Sequence, residues 1–211
     1  MKLKIRKFAL LIALTASLSA CAPVMFGGAV VGSLVAVDRR TSGIQLEDER
    51  IELRAAQFIR DNLGDRVHVN ITSYNRQALV TGEVPNERDK AAVQQLVGRV
   101  ENVKLVVNEL GVMNTSSLSE RSSDTLITGR VKAALVDAQD IFANAYKVVT
   151  ERGTVYLMGR VTQREANRAT DIARGISSVK KVVRVFEIIS EEELQRLLPK
   201  QPEKDKPESK K

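Results

Sequence analysis

His68 and Cys21 are the only imidazole and the only thiol in the 211-residue sequence. Any nucleophile, general base or soft metal ligand must therefore be assembled from these two and from carboxylates. His68 lies in the alternating run Val67-His68-Val69-Asn70-Ile71-Thr72, opposite the apolar positions, where a solvent-facing histidine is expected. Glu83, Glu87 and Asp89 suit a solvated face better than an acid/base pair. No His/Cys cluster has the spacing of a zinc site, and no glycine-rich loop has the pattern of a phosphate cradle. Gly82 and Gly159 are read as places where the backbone needs room. The expectation is a chain with no enzymatic activity, no catalytic residue, no metal and no cofactor, whose work is binding.

Cys21 has a different explanation. Lys2, Lys4, Arg6 and Lys7 precede an apolar stretch of 13 residues, Phe8 to Ala20, the length of a secretory core and short for a bilayer span. The stretch ends Leu18-Ser19-Ala20-Cys21, which resembles the lipobox of bacterial lipoproteins. That resemblance implies cleavage after residue 20 and acylation of Cys21. Acyl chains contribute about 0.8 kcal/mol per buried methylene, so a multiply acylated cysteine holds a protein on a membrane. By the same resemblance, Ala22 after the cysteine implies the outer membrane and its periplasmic face.

The elements that would position a binding site are written twice. Gly82, Ala92 and Gly98 recur as Gly159, Ala169 and Gly175 at a shift of 77, and Val103-Lys104-Leu105-Val106-Val107 recurs as Val179-Lys180-Lys181-Val182-Val183 with one residue deleted. In the first copy, Ile51, Ala55, Phe58, Ile59 and Leu63 fall at helical spacing from Glu49 onward. Alternating strands follow at Val67–Ile71 and Ala78–Val84, then a helix from about Asn86 to Arg99 and a strand over Val103–Leu110. The second copy has a helical stripe of Ile127, Val131, Ala134, Leu135 and Ala138. A hairpin around Glu151-Arg152-Gly153, a helix over Arg164–Gly175 and a strand over Val179–Ile188 follow. Each unit predicts an α+β fold, helix-strand-strand-helix-strand, with a small mixed sheet and two helices on one face. The expected segments are 1–20, signal peptide; 21–46, a lipid-anchored leader rich in Gly, Ala and Val; 47–110, first unit; 111–123, serine-rich linker; 124–189, second unit; and 190–211, charged tail. Units this small bury only about 60% of their unfolded surface, so the two copies are candidates to pack together.

The repeated unit with its glycine between strand and helix resembles the BON domain, a module of bacterial envelope proteins. Two copies behind a lipobox resemble the dual-BON lipoproteins, and the likeness runs from about Cys21 to Ile188. It implies a lipoprotein that binds anionic phospholipid through the region of the second domain that opens at Asp124-Thr125, and so supports envelope integrity under stress. Family members carry Trp after that Asp-Thr pair. This chain has Leu126, which buries apolar surface but lacks the indole's preference for the interface.

Charge and helix geometry point to the same region. Glu47 to Leu110 carries nine basic and eleven acidic residues, net −2, whereas Glu120 to Ile189 carries twelve and eight, net +4. On the first helix of the second unit, Leu126, Gly129, Ala133 and Val136 point away from the core stripe and are flanked by Arg130 and Lys132. An apolar face with basic edges suits an anionic lipid surface, each Lys or Arg contributing about 1 kcal/mol. The alternatives are that this face packs on the first unit, or that the modules form an envelope scaffold for a protein or cell-wall partner. The corresponding helix of the first unit presents Glu49, Gln57 and Arg60, a more polar face.

Other partners are disfavoured. Aromatics make up 4% of the chain and Trp is absent, so stacking platforms for single-stranded nucleic acid are missing. Removal of the four signal-peptide cations would leave a net charge of only +3. A monomer is expected. From Pro199 to Lys211 the chain is Lys, Glu, Asp, Gln, Pro and Ser without an apolar residue, and such a segment cannot bury a core.

Overall fold

A computed structural model describes residues 38–198, all within one compact unit. The expected signal peptide, the Cys21 anchor, residues 22–37 of the leader and residues 199–211 of the tail lie outside the described residues. Among the described residues, no helix is long and apolar enough to cross a membrane.

The order of elements repeats as the sequence repeats. The first module comprises α1 (Ser42–Leu63), β1 (His68–Tyr74), β2 (Gln77–Val84), α2 (Glu87–Gly98), β3 (Leu105–Asn108) and β4 (Gly111–Val112). The second comprises α3 (Leu118–Asp137), β5 (Lys147–Glu151), β6 (Thr154–Val161), α4 (Gln163–Arg174) and β7 (Lys181–Ile188), and α5 (Glu191–Leu197) follows. Helix α1 starts seven residues before the expected Glu49, because the Thr41 side chain caps it by accepting from the Ile44 N–H at 3.3 Å. The second half of the stretch read as a linker, residues 118–123, is helix as well. Ser117 and Glu120 form a reciprocal capping box that starts α3 at Leu118.

Each sheet combines antiparallel and parallel pairing around a central strand. In the first, β1 pairs antiparallel with β2, and β2 pairs parallel with β3 and β4. In the second, β5 pairs antiparallel with β6, and β6 parallel with β7. Both hairpin turns have left-handed backbone, at Asn75 and Arg76 (φ 52° and 66°) and at Arg152 and Gly153 (φ 51° and 77°). Such turns match the strand twist but leave N–H groups to satisfy. A buried aspartate on the first helix of each module satisfies them. Asp48 accepts from the N–H groups of Asn75 (2.8 Å) and Arg76 (2.7 Å), and Asp124 from those of Arg152 (2.7 Å) and Gly153 (2.8 Å).

Helices cover one face of each sheet, and the two remaining sheet faces cover each other. On β2, Ala78 and Val80 point into the core with Ile51, Ala55 and Ile59 of α1 and Val93 and Val97 of α2. Leu79 points the other way. On β6, Val155 and Leu157 face Ile127, Val131 and Leu135 of α3. Tyr156 and Met158 meet Tyr74, Leu79 and Val185 in a third core between the modules. Burial on both faces explains why these central strands read as nearly continuous apolar runs.

Candidate functional site

Helix α3 buries Asp124, Ile127, Val131 and Leu135, which leaves the opposite side free. Leu126, Gly129, Arg130, Lys132, Ala133 and Val136 are all exposed, Leu126 at 63% and Val136 at 69%. The alternative in which this face packs on the first module is overturned, since the modules meet through their sheets. Leu118, 76% exposed, lies in helical phase with Gly129 and Val136 and extends the stripe by two turns. The sequence reading missed it because it assigned the residue to a linker. Phe142, 44% exposed in the loop after α3, was missed too, since no periodic pattern includes it.

The flanks of the stripe are shallowly grooved and carry Arg130 and Lys132, with Asp137 at the C-terminal end of the helix on the Arg130 side. On one side Arg130 donates to Ser178 Oγ at 3.0 Å, beside a groove lined by Ala133, Gly175 and Ile176. On the other, Lys132 and Val136 border a smaller depression with Ala143 and Asn144. Arg121, about three turns nearer the N-terminus than Lys132, is also exposed. Chemically this surface offers apolar area and fixed positive charge, the requirements of an interfacial helix.

The first module presents exposed apolar residues as well, against the expectation of a more polar helix. Leu46 and Leu53 of α1 are 49% and 72% exposed. Their neighbours Glu47 and Glu49 are acidic, in a module with net charge −2. Charge, more than apolar area, separates the two helices.

Functional groups converge in a second place, at the seam between modules. His68 was expected to face solvent and Glu83 to lie on a solvated face; both readings are corrected. The side of the sheet opposite the helices is covered by the other module, so Glu83 is 1% exposed and His68 Nδ1 lies 2.8 Å from Glu83 Oε2. Glu151 of β5 joins them from the second module and accepts from Asn70 Nδ2 at 3.2 Å. Burial pushes the Glu151 carboxyl up from its ordinary value, against the pull of Asn70. Asp89 is buried also, held by Asn86 and by Arg66 at 2.9 Å, and Glu87 stays exposed. Gly82 and Gly159 act by size. A Cβ at Gly82 would stand 2.1 Å from the His68 carbonyl oxygen, and one at Gly159 2.4 Å from that of Ala145.

Comparison with known proteins gives this arrangement a lineage. The profile of the BON domain matches residues 47–114 and 123–190. Outer membrane lipoprotein DolP of Haemophilus influenzae is 37% identical over 187 residues, 88% of this chain and 97% of that protein. The 21 kDa hemolysin of Actinobacillus pleuropneumoniae is 29% identical, covering 72% of this chain and 80% of that one. Osmotically-inducible protein Y of Escherichia coli is 28% identical over 62% of this chain and 66% of its own length.

Proposed function

Because this chain belongs to the BON-domain family, with two copies of the module, we propose that it is an outer-membrane lipoprotein, anchored through Cys21 on the periplasmic face. Helix α3 of its second module binds anionic phospholipid, such as phosphatidylglycerol, and through that binding the protein supports envelope integrity without catalytic turnover. The observation that carries the reading is the exposed stripe Leu118, Leu126, Gly129, Ala133 and Val136, edged by Arg121, Arg130 and Lys132. The likeness to a lipoprotein of the outer membrane over nearly its whole length supports the anchor and the address.

Two forces would act together. Apolar side chains removed from water contribute about 25 cal/mol per Å². The cations are drawn to an anionic headgroup layer over a Debye length of about 8 Å at physiological salt. Leu126 supplies the first without the polar handle of a tryptophan, so the second carries more of the affinity. The test is sedimentation of the chain lacking residues 1–21 with phosphatidylglycerol or phosphatidylcholine vesicles at low and high salt. Binding confined to phosphatidylglycerol and weakened by salt is expected. Equal binding to both lipids, or none to either, would overturn the reading.

A further inference from the structure

The seam between the modules holds a set of groups that membrane binding does not use. His68 comes from β1, Glu83 from β2 and Glu151 from β5, and one ligand atom of each lies within 4.8 Å of the other two. The set spans both modules, so its geometry exists only while they are packed.

We propose that His68, Glu83 and Glu151 bind a divalent transition-metal cation of the zinc class, which clasps the two modules. Three observations support it. First, one imidazole and two carboxylates are a donor set suited to such an ion, which takes nitrogen and oxygen ligands at about 2.0–2.2 Å and keeps a position for water. Second, Glu83 is 1% exposed, and its Oε1 is ion-paired with Arg152 Nε at 3.0 Å, so the carboxylate is buried in its charged form with Oε2 turned toward His68 at 2.8 Å. Third, the carboxylates already have outer partners. Asn70 holds Oε2 of Glu151, and Arg152 stands against Oε1 of Glu83, leaving Oε2 beside His68. Outer partners of this kind orient ligands in metal sites.

The charges are consistent with a cation. With His68 neutral, two carboxylates face one guanidinium, an excess of one negative charge. Asp124 and Arg121 line the same cleft with His68 and Glu151 and offset each other. Binding displaces the contact between His68 Nδ1 and Glu83 Oε2, and the neutral imidazole offers Nδ1 to the ion while its proton sits on Nε2. Open space beside His68, Asn70, Thr128 and Glu151 gives the ion a path from solvent.

The experiment is calorimetric titration of Zn2+ into the untagged full chain in detergent at pH 7.5, with thermal melts in parallel. Wild type, His68→Gln, Glu151→Gln and Glu83→Gln are compared. One ion per chain and a raised melting temperature are expected for wild type. His68→Gln and Glu151→Gln should each weaken binding at least tenfold and remove the thermal shift. Because Glu83 is buried, its variant can fail to fold, and the other two carry the test. Equal zinc binding by wild type and His68→Gln would overturn the proposal, placing the ion elsewhere on the chain. So would a melting temperature that responds to pH but not to zinc up to 1 mM, since the cluster would then answer to protons alone. Neither outcome bears on vesicle binding through α3.

Discussion

Arg39 forms a two-pronged ion pair with Glu165, Nη2 to Oε1 at 2.6 Å and Nη1 to Oε2 at 2.8 Å, and both side chains are 1% exposed. The same guanidinium donates to the Arg160 carbonyl oxygen at 2.8 Å. Arg39 precedes the first module, and Glu165 caps α4 of the second through the Thr162 N–H. The lead-in segment thus straps onto the far module before the near one begins. Arg40, beside it, pairs with Asp38 and Asp48 and lies over the Tyr74 ring at 4.2 Å. Removing one partner of a buried ion pair strands the other charge and typically costs about 3–5 kcal/mol. Arg39→Ala should therefore lower stability by that order in urea unfolding, and Arg39→Met with Glu165→Leu should recover most of it.

Two of the buried glutamates, Glu165 and Glu151, predict opposite responses to acid. Burial pushes the Glu165 carboxyl up, but the hydrogen bonds from Arg39 and Thr162 more than offset it, so the group is held below its ordinary value. Its contribution is present above the unfolded value of about pH 4.3 and is lost as pH falls through the lower folded value. Glu151 is raised by burial, so its cost sets in as pH rises from about 4.3 through the folded value. Urea unfolding of Glu151→Gln across pH 4 to 7 should show the decline in that window reduced. Glu165→Gln should show less loss than wild type below pH 4.

Packing between the sheets predicts that the modules unfold together. Leu79 and Met158 are fully buried in the core they share. Truncating such a side chain to alanine costs about 2–5 kcal/mol. Leu79→Ala, in the first module, should lower a single thermal transition reported equally by probes in both modules. Two separated transitions in wild type would show that the sheets do not couple them.

Glycine at 159 is required by distance. An added Cβ would meet the Ala145 carbonyl oxygen at 2.4 Å, and backbone cannot turn aside as a side chain can. Gly159→Ala should destabilise by about 1–3 kcal/mol, as overpacking does, whereas Gly129→Ala meets nothing within 4 Å and should stabilise α3 by up to about 1 kcal/mol. Circular dichroism melts of the two variants separate these expectations.

The repeat made most of the fold legible. Periodicity located α1 to α4 and the hairpins because each module buries one face of every element, and the matching Gly82 and Gly159 marked the close approaches. The seam was not legible. Glu83 and His68 look solvent-facing in alternating strands, and only the second module, packed on that face, buries Glu83 and leaves His68 half-buried at the edge of a cleft. Asp48 and Asp124 were equally hidden, since a carboxylate on a helix has no local sign of the turn it caps. For the exposed stripe of α3, Leu126 to Val136 stood out by phase and charge, whereas Leu118 was lost in a serine-rich stretch that a capping box turns into helix.

Membrane recognition by α3 is tested most directly by sedimentation with phosphatidylglycerol vesicles, comparing the chain lacking residues 1–21 with its Leu126→Glu and Leu53→Glu variants. Both leucines are exposed, at 63% and 72%, so neither substitution should disturb folding. Burying a leucine contributes about 1.5–3 kcal/mol. Leu126→Glu should therefore weaken binding at least tenfold with an unchanged melting temperature, and Leu53→Glu, on the acidic first module, should bind as wild type. Equal binding by all three would contradict the assignment of α3 as the membrane-binding face.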